Sequence, residues 1–172
     1  MPVNVEVKAR VRDRALIEAR ALRLAGCEPQ VLSQVDTFFP VSRGRLKLRE
    51  ENGRAVLISY LRADQASLRT STYAKTPIPE PDLLEAMLAG TLGETQVVRK
   101  LRHLYRVGNS RVHLDRVEGL GDFVEIETEV ERAGSPEQAA GETRALLREL
   151  GIGPEDLVAD AYVDLLEAGE PG

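Results

Sequence analysis

The 172-residue chain has no tryptophan, one cysteine and two histidines, and aromatic residues make up only 4% of it. The single thiol, Cys27, excludes an internal disulfide, and so few sulfur and imidazole ligands exclude a zinc cage. No apolar run approaches the roughly 20 residues that a membrane span needs, and the charged N-terminal residues do not resemble a signal peptide. These absences predict a cytoplasmic protein with a core of Val, Leu, Ala and Ile.

Composition favours one compact domain over residues 1–172, with 42% hydrophobic and 30% charged positions. The net charge of -5 argues against nucleic acid or an anionic membrane as a partner. Phosphate-loop, dinucleotide-loop, nucleophile-elbow and zinc-protease motifs are all missing, so a serine or cysteine nucleophile has little support. We therefore expect a small-molecule ligand, and the sequence leaves monomer and homodimer open.

Apolar and polar residues alternate along most of the chain, which is the period-two pattern of β-strands. This pattern predicts eight strands, at residues 3–11, 31–39, 45–50, 54–62, 68–76, 95–107, 110–117 and 122–131. Helices are predicted from Asp13 to Gly26 and at residues 82–88, 136–150 and 155–168. Many strands and few helices favour an α+β fold whose mostly antiparallel sheet can close into a barrel.

The polar faces of the predicted strands are separated by sign of charge. Acidic residues share one face at Glu125, Glu127, Glu129 and Glu131. Basic residues share the faces formed by Arg45, Lys47, Arg49 and by Lys100, Arg102, Arg106. Carboxylates bind divalent metals and basic groups bind phosphate, so together they fit a metal-bound polyphosphate. The alternative interpretation is ordinary exposed faces, on which solvent screens the repulsion.

Seven segments follow one another along the chain: VNVEVKAR, VDTFF, GRLKLRE, LISYLR, VVRKLRHLY, VHLDRVEGLGDFVEIE and AYVDLL. In this order they resemble the CYTH superfamily of triphosphate tunnel metalloenzymes, and VNVEVKAR resembles its Glu-x-Glu-x-Lys signature. The resemblance implies a closed eight-stranded antiparallel β-barrel with a charged interior and helices packed outside. It further implies a tunnel that binds a triphosphate together with Mg²⁺ or Mn²⁺.

The resemblance also implies roles for individual residues. Metal ligands are expected at Glu6, Glu125 and Glu127. Triphosphate contacts are expected at Lys8, Lys47, Arg49, Arg62, Lys100, Arg102 and Arg106, and catalytic roles at Asp115 and Lys47. Supporting roles are expected at Arg10, Arg45, Arg69, Lys75 and His113, while Tyr60, Tyr73 and Tyr105 are candidates for stacking on a base. Asn4 departs from the family, because it replaces the first signature glutamate with a neutral side chain.

The resemblance is strongest to class IV adenylyl cyclases, which convert ATP to cyclic AMP and pyrophosphate. Two other functions stay open: hydrolysis of inorganic or thiamine triphosphate, and a non-catalytic sensor of ATP or polyphosphate. Asn4 favours the sensor, because it lowers the charge of the expected metal site.

Overall fold

The computed structural model describes residues 1–169, in which eight antiparallel strands form a closed barrel in the order β1-β5-β4-β3-β2-β6-β7-β8. The strands are β1 (Val3–Arg10), β2 (Gln30–Phe39), β3 (Arg45–Glu51), β4 (Arg54–Arg62), β5 (Arg69–Pro77), β6 (Gln96–Val107), β7 (Ser110–Val117) and β8 (Gly121–Glu129). The predicted fold class is confirmed. In this order β1 and β2 lie on opposite walls of the barrel.

Helices pack around the outside of the barrel. They are α1 (Arg14–Ala25), α2 (Pro81–Leu92), α3 (Val130–Ala133), α4 (Pro136–Leu150) and α5 (Tyr162–Glu167), with a 3-10 turn at Pro154–Asp156. The carboxylate of Asp13 caps α1 by accepting from the Leu16 backbone N–H at 3.1 Å. Gly26 ends α1 in the left-handed conformation with φ of 71°. None of the helices in residues 1–169 is long and apolar enough to cross a membrane.

The main hydrophobic core lies between the outer wall of the barrel and helices α1 and α4. Val112, Leu114 and Ile126 are fully buried there against Ile17 and Leu147. Because the apolar faces of β1, β6, β7 and β8 pack in this core, their opposite faces point into the barrel and carry charged residues. The charged interior therefore follows from the alternation in the sequence.

The prediction that Tyr105 stacks on a base is wrong. Tyr105 lies in the core outside the barrel and is 3% exposed, so it cannot stack on a ligand in the tunnel. The prediction that Glu131 belongs to the acidic strand face is also wrong, because β8 ends at Glu129 and residues 130–133 form α3. Glu131 is exposed and does not continue the acidic row of β8.

The predicted helix at 155–168 is divided in the structure. After the 3-10 turn the backbone is extended, and the N–H of Val158 donates to the carbonyl of Lys8 at 2.9 Å. Leu157 also forms a β-bridge with Ala9. Pairing with β1 therefore replaces helical hydrogen bonds at residues 157 and 158, and of the predicted helix only α5 is α-helical. The predicted helix at 82–88 is longer than expected and spans Pro81–Leu92.

Candidate active site

The barrel encloses a cavity of about 370 Å³ that is lined by side chains from all eight strands. Residues 157–169, which we call the closing segment, cover one end, where Ala161 and Tyr162 also line the cavity. Strand side chains hold this segment by its backbone: Arg69 Nη1 donates to the carbonyl of Ala159 at 2.7 Å, and Lys8 Nζ donates to that of Asp160 at 3.1 Å. The opposite end, which we call the open end, is lined by the exposed residues Gln30 and Arg106.

Three glutamates on neighbouring strands form an acidic cluster in the cavity. Glu6 of β1 is paired in register with Glu127 of β8, and Glu125 follows two residues before Glu127. Burial raises the pKa of Glu6, and repulsion from Glu125 and Glu127 raises it further. Arg62 and Arg69 offset part of this charge, with nitrogens 3.0 Å and 3.2 Å from Glu6 Oε1.

Two of the three glutamates, Glu125 and Glu127, form with His113 the group of described residues that could hold a divalent cation, and Glu6 lies outside this group. Ligand atoms of His113, Glu125 and Glu127 lie within 4.8 Å of one another. Asn4 Oδ1 and His113 Nδ1 are buried and receive no hydrogen bond from any group in residues 1–169. Carboxylate and amide oxygens suit Mg²⁺ or Mn²⁺, and a cation there would relieve the repulsion that raises the pKa of Glu6. These residues fit the expected metal.

A second group of charges is centred on Asp36, which the sequence analysis missed. Asp36 is buried and receives hydrogen bonds from Lys47 Nζ at 2.8 Å, Arg49 Nε at 2.7 Å and Lys100 Nζ at 3.0 Å. Burial alone would raise the pKa of Asp36, but attraction to Lys100, Lys47 and Arg49 holds it well below its usual range. Burial lowers the pKa of Lys47 to about 7, and repulsion from Arg49 contributes. One carboxylate thus orients three cations.

Arg102 is held in a similar way by Asp115. Two parallel hydrogen bonds of 2.7 Å join their side chains, and Tyr162 donates to Asp115 Oδ2 at 2.8 Å. Burial would raise the pKa of Asp115, but the Arg102 guanidinium lowers it to about 2. Asp115 is completely buried behind Arg102 and does not line the cavity. This geometry favours an orienting role for Asp115 over direct contact with a substrate.

Lys8 lies at the floor of the cavity, against the closing segment. Its ammonium is 4.0 Å from the centroid of the Tyr162 ring and 3.8 Å from Glu125 Oε2. Burial lowers the pKa of Lys8 to about 7, and repulsion from Arg62 and Arg69 acts in the same direction, although Glu125 opposes it. Lys8 thus joins the acidic cluster to the aromatic floor.

The structure brings most of the expected residues together. The cavity lining includes all residues expected to bind metal or triphosphate, namely Glu6, Lys8, Lys47, Arg49, Arg62, Lys100, Arg102, Arg106, Glu125 and Glu127. Their roles remain predictions. Arg69 and Arg45 instead bind the closing segment, Arg45 through Asp164. Lys75, Tyr60 and Tyr73 line the cavity, and Arg10 lies over the Phe123 ring at 5.3 Å.

Four functional candidates escaped the sequence analysis: Gln34, Asp36, Arg111 and Tyr162. Asp36 and Gln34 share the inward face of β2, and the strand alternation could have found them. Arg111 lines the cavity and donates to Glu127 at 3.0 Å. Tyr162 had no periodic signal, because it enters the cavity from a helix that no strand pattern predicts.

Comparison with known proteins points to one family. Residues 3–162 match the CYTH domain. A Methanocaldococcus jannaschii protein named "Putative adenylate cyclase" is 22% identical over 174 residues, covering 95% of this chain and 98% of that protein.

Solved structures share the barrel fold. A Pyrococcus horikoshii protein is 24% identical with a TM-score of 0.83, covering 94% of this chain and 98% of its own. A Hippeastrum protein, described as a putative adenylyl cyclase that reveals a dominant triphosphatase activity, is 17% identical with a TM-score of 0.68. That match covers 99% of this chain and 97% of the Hippeastrum chain.

Proposed function

The chain belongs to the CYTH domain family, and we propose that it is a metal-dependent enzyme that converts ATP to cyclic AMP and pyrophosphate. The observation that carries this proposal is the pairing of an acidic cluster with a basic array inside one cavity. Glu6, Glu125 and Glu127 offer oxygen ligands, and Lys47, Arg49 and Lys100 face the same space. Few ligands other than a metal-bound polyphosphate use both sets of charges.

The basic side chains are arranged before a ligand binds. Asp36 fixes Lys47, Arg49 and Lys100, and Asp115 fixes Arg102, so little reorganisation is needed when phosphate oxygens arrive. Because these groups lie in a mostly buried cavity, their attraction to phosphate is stronger than in water. Positioning and charge neutralisation are the main contributions that phosphoryl chemistry requires from a protein.

In the proposed reaction the ribose hydroxyl attacks the α-phosphorus while pyrophosphate leaves. A divalent cation held by Glu6, Glu125 and Glu127 would neutralise phosphate charge as a Lewis acid. Lys47, which Asp36 orients at 2.8 Å, would donate to an oxygen of the α-phosphate, and the proton of the attacking hydroxyl would pass to solvent. Arg49, Lys100 and Arg102 would then balance the charge on the departing pyrophosphate.

Hydrolysis is the second candidate reaction. The same charges would orient a triphosphate whose terminal phosphorus is attacked by water, and the Hippeastrum structure is described as having such an activity. A non-catalytic sensor is the third candidate, favoured by the neutral Asn4 beside the acidic cluster.

Product analysis tests these functions directly. The protein is incubated with ATP, tripolyphosphate or thiamine triphosphate, each with Mg²⁺ or Mn²⁺, and the products are separated. Cyclic AMP with pyrophosphate supports the cyclase, whereas free phosphate overturns it in favour of hydrolysis. Intact substrates that bind without turnover would identify a sensor. A Glu127→Gln variant, which lacks one expected metal ligand, is the control for contaminating activity.

A further inference from the structure

Of the two histidines in the chain, His113 lines the cavity, and no step of the proposed reaction uses it. Its side chain is 4% exposed, and its Nδ1 has no hydrogen-bond partner among the groups of residues 1–169. The other histidine, His103, lies on the outer face of β6 beside Glu18 of α1. Buried polar atoms in folded proteins nearly always have a partner, so the unpaired Nδ1 requires an explanation.

The neighbours of His113 on the barrel wall do not supply this partner. Across the two ladders of β7, His113 is paired with Leu104, which is apolar, and with Glu125. Glu125 Oε1 lies 3.6 Å from Nδ1, which is beyond hydrogen-bond distance. Asp115, two residues further along the same face of β7, is joined to Arg102 instead. Nδ1 is therefore available to a ligand from outside the chain.

The distances around Nδ1 fit a metal ion that is shared with carboxylates. Ligand atoms of His113, Glu125 and Glu127 lie within 4.8 Å of one another. Two atoms that each bind one ion at about 2.1 Å are roughly 3.0 Å apart as adjacent ligands and roughly 4.2 Å apart as opposite ligands. The 3.6 Å between Nδ1 and Glu125 Oε1 lies between these limits. The positions of both atoms are therefore compatible with one shared ion.

A nitrogen ligand changes which ion the site prefers. Imidazole suits first-row transition ions, whereas Mg²⁺ and Ca²⁺ prefer oxygen ligands. Lys8 and Arg102, with nitrogens 3.8 Å and 3.7 Å from oxygens of Glu125, repel every divalent ion. Because this repulsion depends on charge alone, it lowers affinity without favouring one element over another. The choice between ions of equal charge is therefore made by the type of ligand atom.

We propose that His113 Nδ1 is a metal ligand that makes this site prefer a first-row transition ion over Mg²⁺. This inference rests on the proposed function and deepens it, because it identifies the class of cation that the proposed reaction uses. Carboxylates alone suit Mg²⁺, Ca²⁺ and Mn²⁺ alike, so Glu125 and Glu127 do not account for such a preference. Among divalent transition ions Mn²⁺ generally binds most weakly, which makes it the most stringent probe.

Spectroscopy of bound Mn²⁺ tests the nitrogen ligand directly. Pulsed electron paramagnetic resonance of the Mn²⁺-loaded protein, without substrate, should detect a hyperfine coupling to nitrogen, and labelling histidine with nitrogen-15 should change its pattern. His113→Gln should lose the coupling. The matched control His103→Gln should keep it, because His103 lies outside the barrel. A wild-type protein without the coupling, or a coupling that persists in His113→Gln, would overturn the inference.

Binding measurements test the selectivity. Calorimetry compares the dissociation constants of Mn²⁺ and Mg²⁺ for the wild-type protein and the two variants. In His113→Gln the preference for Mn²⁺ should fall at least about tenfold, the lower limit for loss of a group that supports a metal site. In His103→Gln it should not change. An unchanged preference in His113→Gln would show that His113 does not select the ion.

Two further outcomes are distinguished by the same samples. If His113→Gln does not fold, labelled His103→Gln decides the question, because His113 is then the histidine that remains. A nitrogen-15 pattern in that protein supports the inference, and its absence overturns it. Failure of the wild-type protein to bind either ion, with or without tripolyphosphate, would instead contradict the proposed metal-dependent function itself.

Discussion

At the scale of single residues, two buried aspartates indicate that the cavity is arranged for binding. Asp36 and Asp115 are at most 1% exposed, and each is joined to cations on other strands. Desolvating such charges costs several kcal/mol per ion, and apolar replacements are often as stable. Stability alone therefore gives little reason to keep them, whereas an anionic ligand requires cations held in place.

The acidic cluster gives the first prediction. Glu125→Gln and Glu127→Gln should each weaken metal affinity at least about tenfold and abolish metal-dependent turnover, because each removes one charged ligand while keeping side-chain shape. Metal titration at saturating triphosphate measures this, and circular dichroism checks the fold. Glu131→Gln is the matched control, because Glu131 is exposed on α3. Full activity in both cavity variants would exclude the cluster as the metal site.

Lys47 gives a prediction about pH. Its pKa of about 7 lies below the usual lysine value of 10.5, because burial disfavours the charged form. A bound anion favours the charged form of Lys47. Between about pH 7 and pH 10.5 the protein should therefore take up protons when it binds tripolyphosphate, and its affinity should fall as the pH rises. Calorimetry at about pH 8, in two buffers of different ionisation enthalpy, measures the number of protons taken up.

The contribution of Lys47 is separated from that of Lys8 by substitution. Lys8 also has a pKa of about 7 and takes up protons in the same window. Lys47→Arg stays charged throughout the range, so it should take up fewer protons, by at most about one per ligand bound. Identical uptake in the variant and the wild-type protein would show that Lys47 is already protonated in the free protein.

The closing segment is the element whose role is least evident from sequence. Tyr162 reaches Asp115 with its hydroxyl, and its ring lies beneath Lys8 at 4.0 Å. Tyr162→Phe should cost about 1 kcal/mol of unfolding free energy and change tripolyphosphate affinity little, because the ring remains. Tyr162→Leu should additionally weaken binding several-fold, since the aromatic surface that positions the ammonium is lost. Urea unfolding and calorimetry measure the two effects.

Equal affinity in the two Tyr162 variants would contradict this division of roles. The cation–aromatic contact would then contribute only to packing. The edge-to-face contact of Tyr162 with Phe123, with centroids 5.1 Å apart, is lost in Tyr162→Leu as well. Tyr162→Leu is therefore compared at a temperature where both variants are fully folded.

Elements formed by local alternation could be predicted from sequence, and those formed by distant pairing could not. All eight strands were expected within about two residues of their bounds. The pattern predicts a helix at residues 157–160, but distant residues of β1 and β5 supply their hydrogen-bond partners. The pairing of Asp36 with Lys100, 64 positions apart, likewise depends on the β2–β6 register. Alternation predicts which side chains face inward, but not which of them meet.

At the scale of the whole molecule, the cavity lining is rich in cations although the chain as a whole has a negative net charge. The chain carries a net charge of -5, yet a group of lysines and arginines surrounds the cavity. Repulsion among these cations is a cost that the folded protein bears and the unfolded chain does not. A polyanion that binds only the folded state removes this cost and shifts the unfolding equilibrium.

Tripolyphosphate should therefore raise the melting temperature of the protein. At 100 times its dissociation constant a ligand contributes about 2.7 kcal/mol, which for a chain of this length raises Tm by roughly 5–11 °C. Lys47→Ala should remove most of this shift, because Lys47 lines the cavity. Arg99→Ala, which removes an exposed cation from the outer face of β6, should leave the shift intact and excludes a general effect of net charge. Scanning fluorimetry with and without Mg²⁺ measures both. An absent shift at millimolar ligand would contradict triphosphate binding by the folded protein, whereas an equal loss in the two variants would place the anion site outside the barrel.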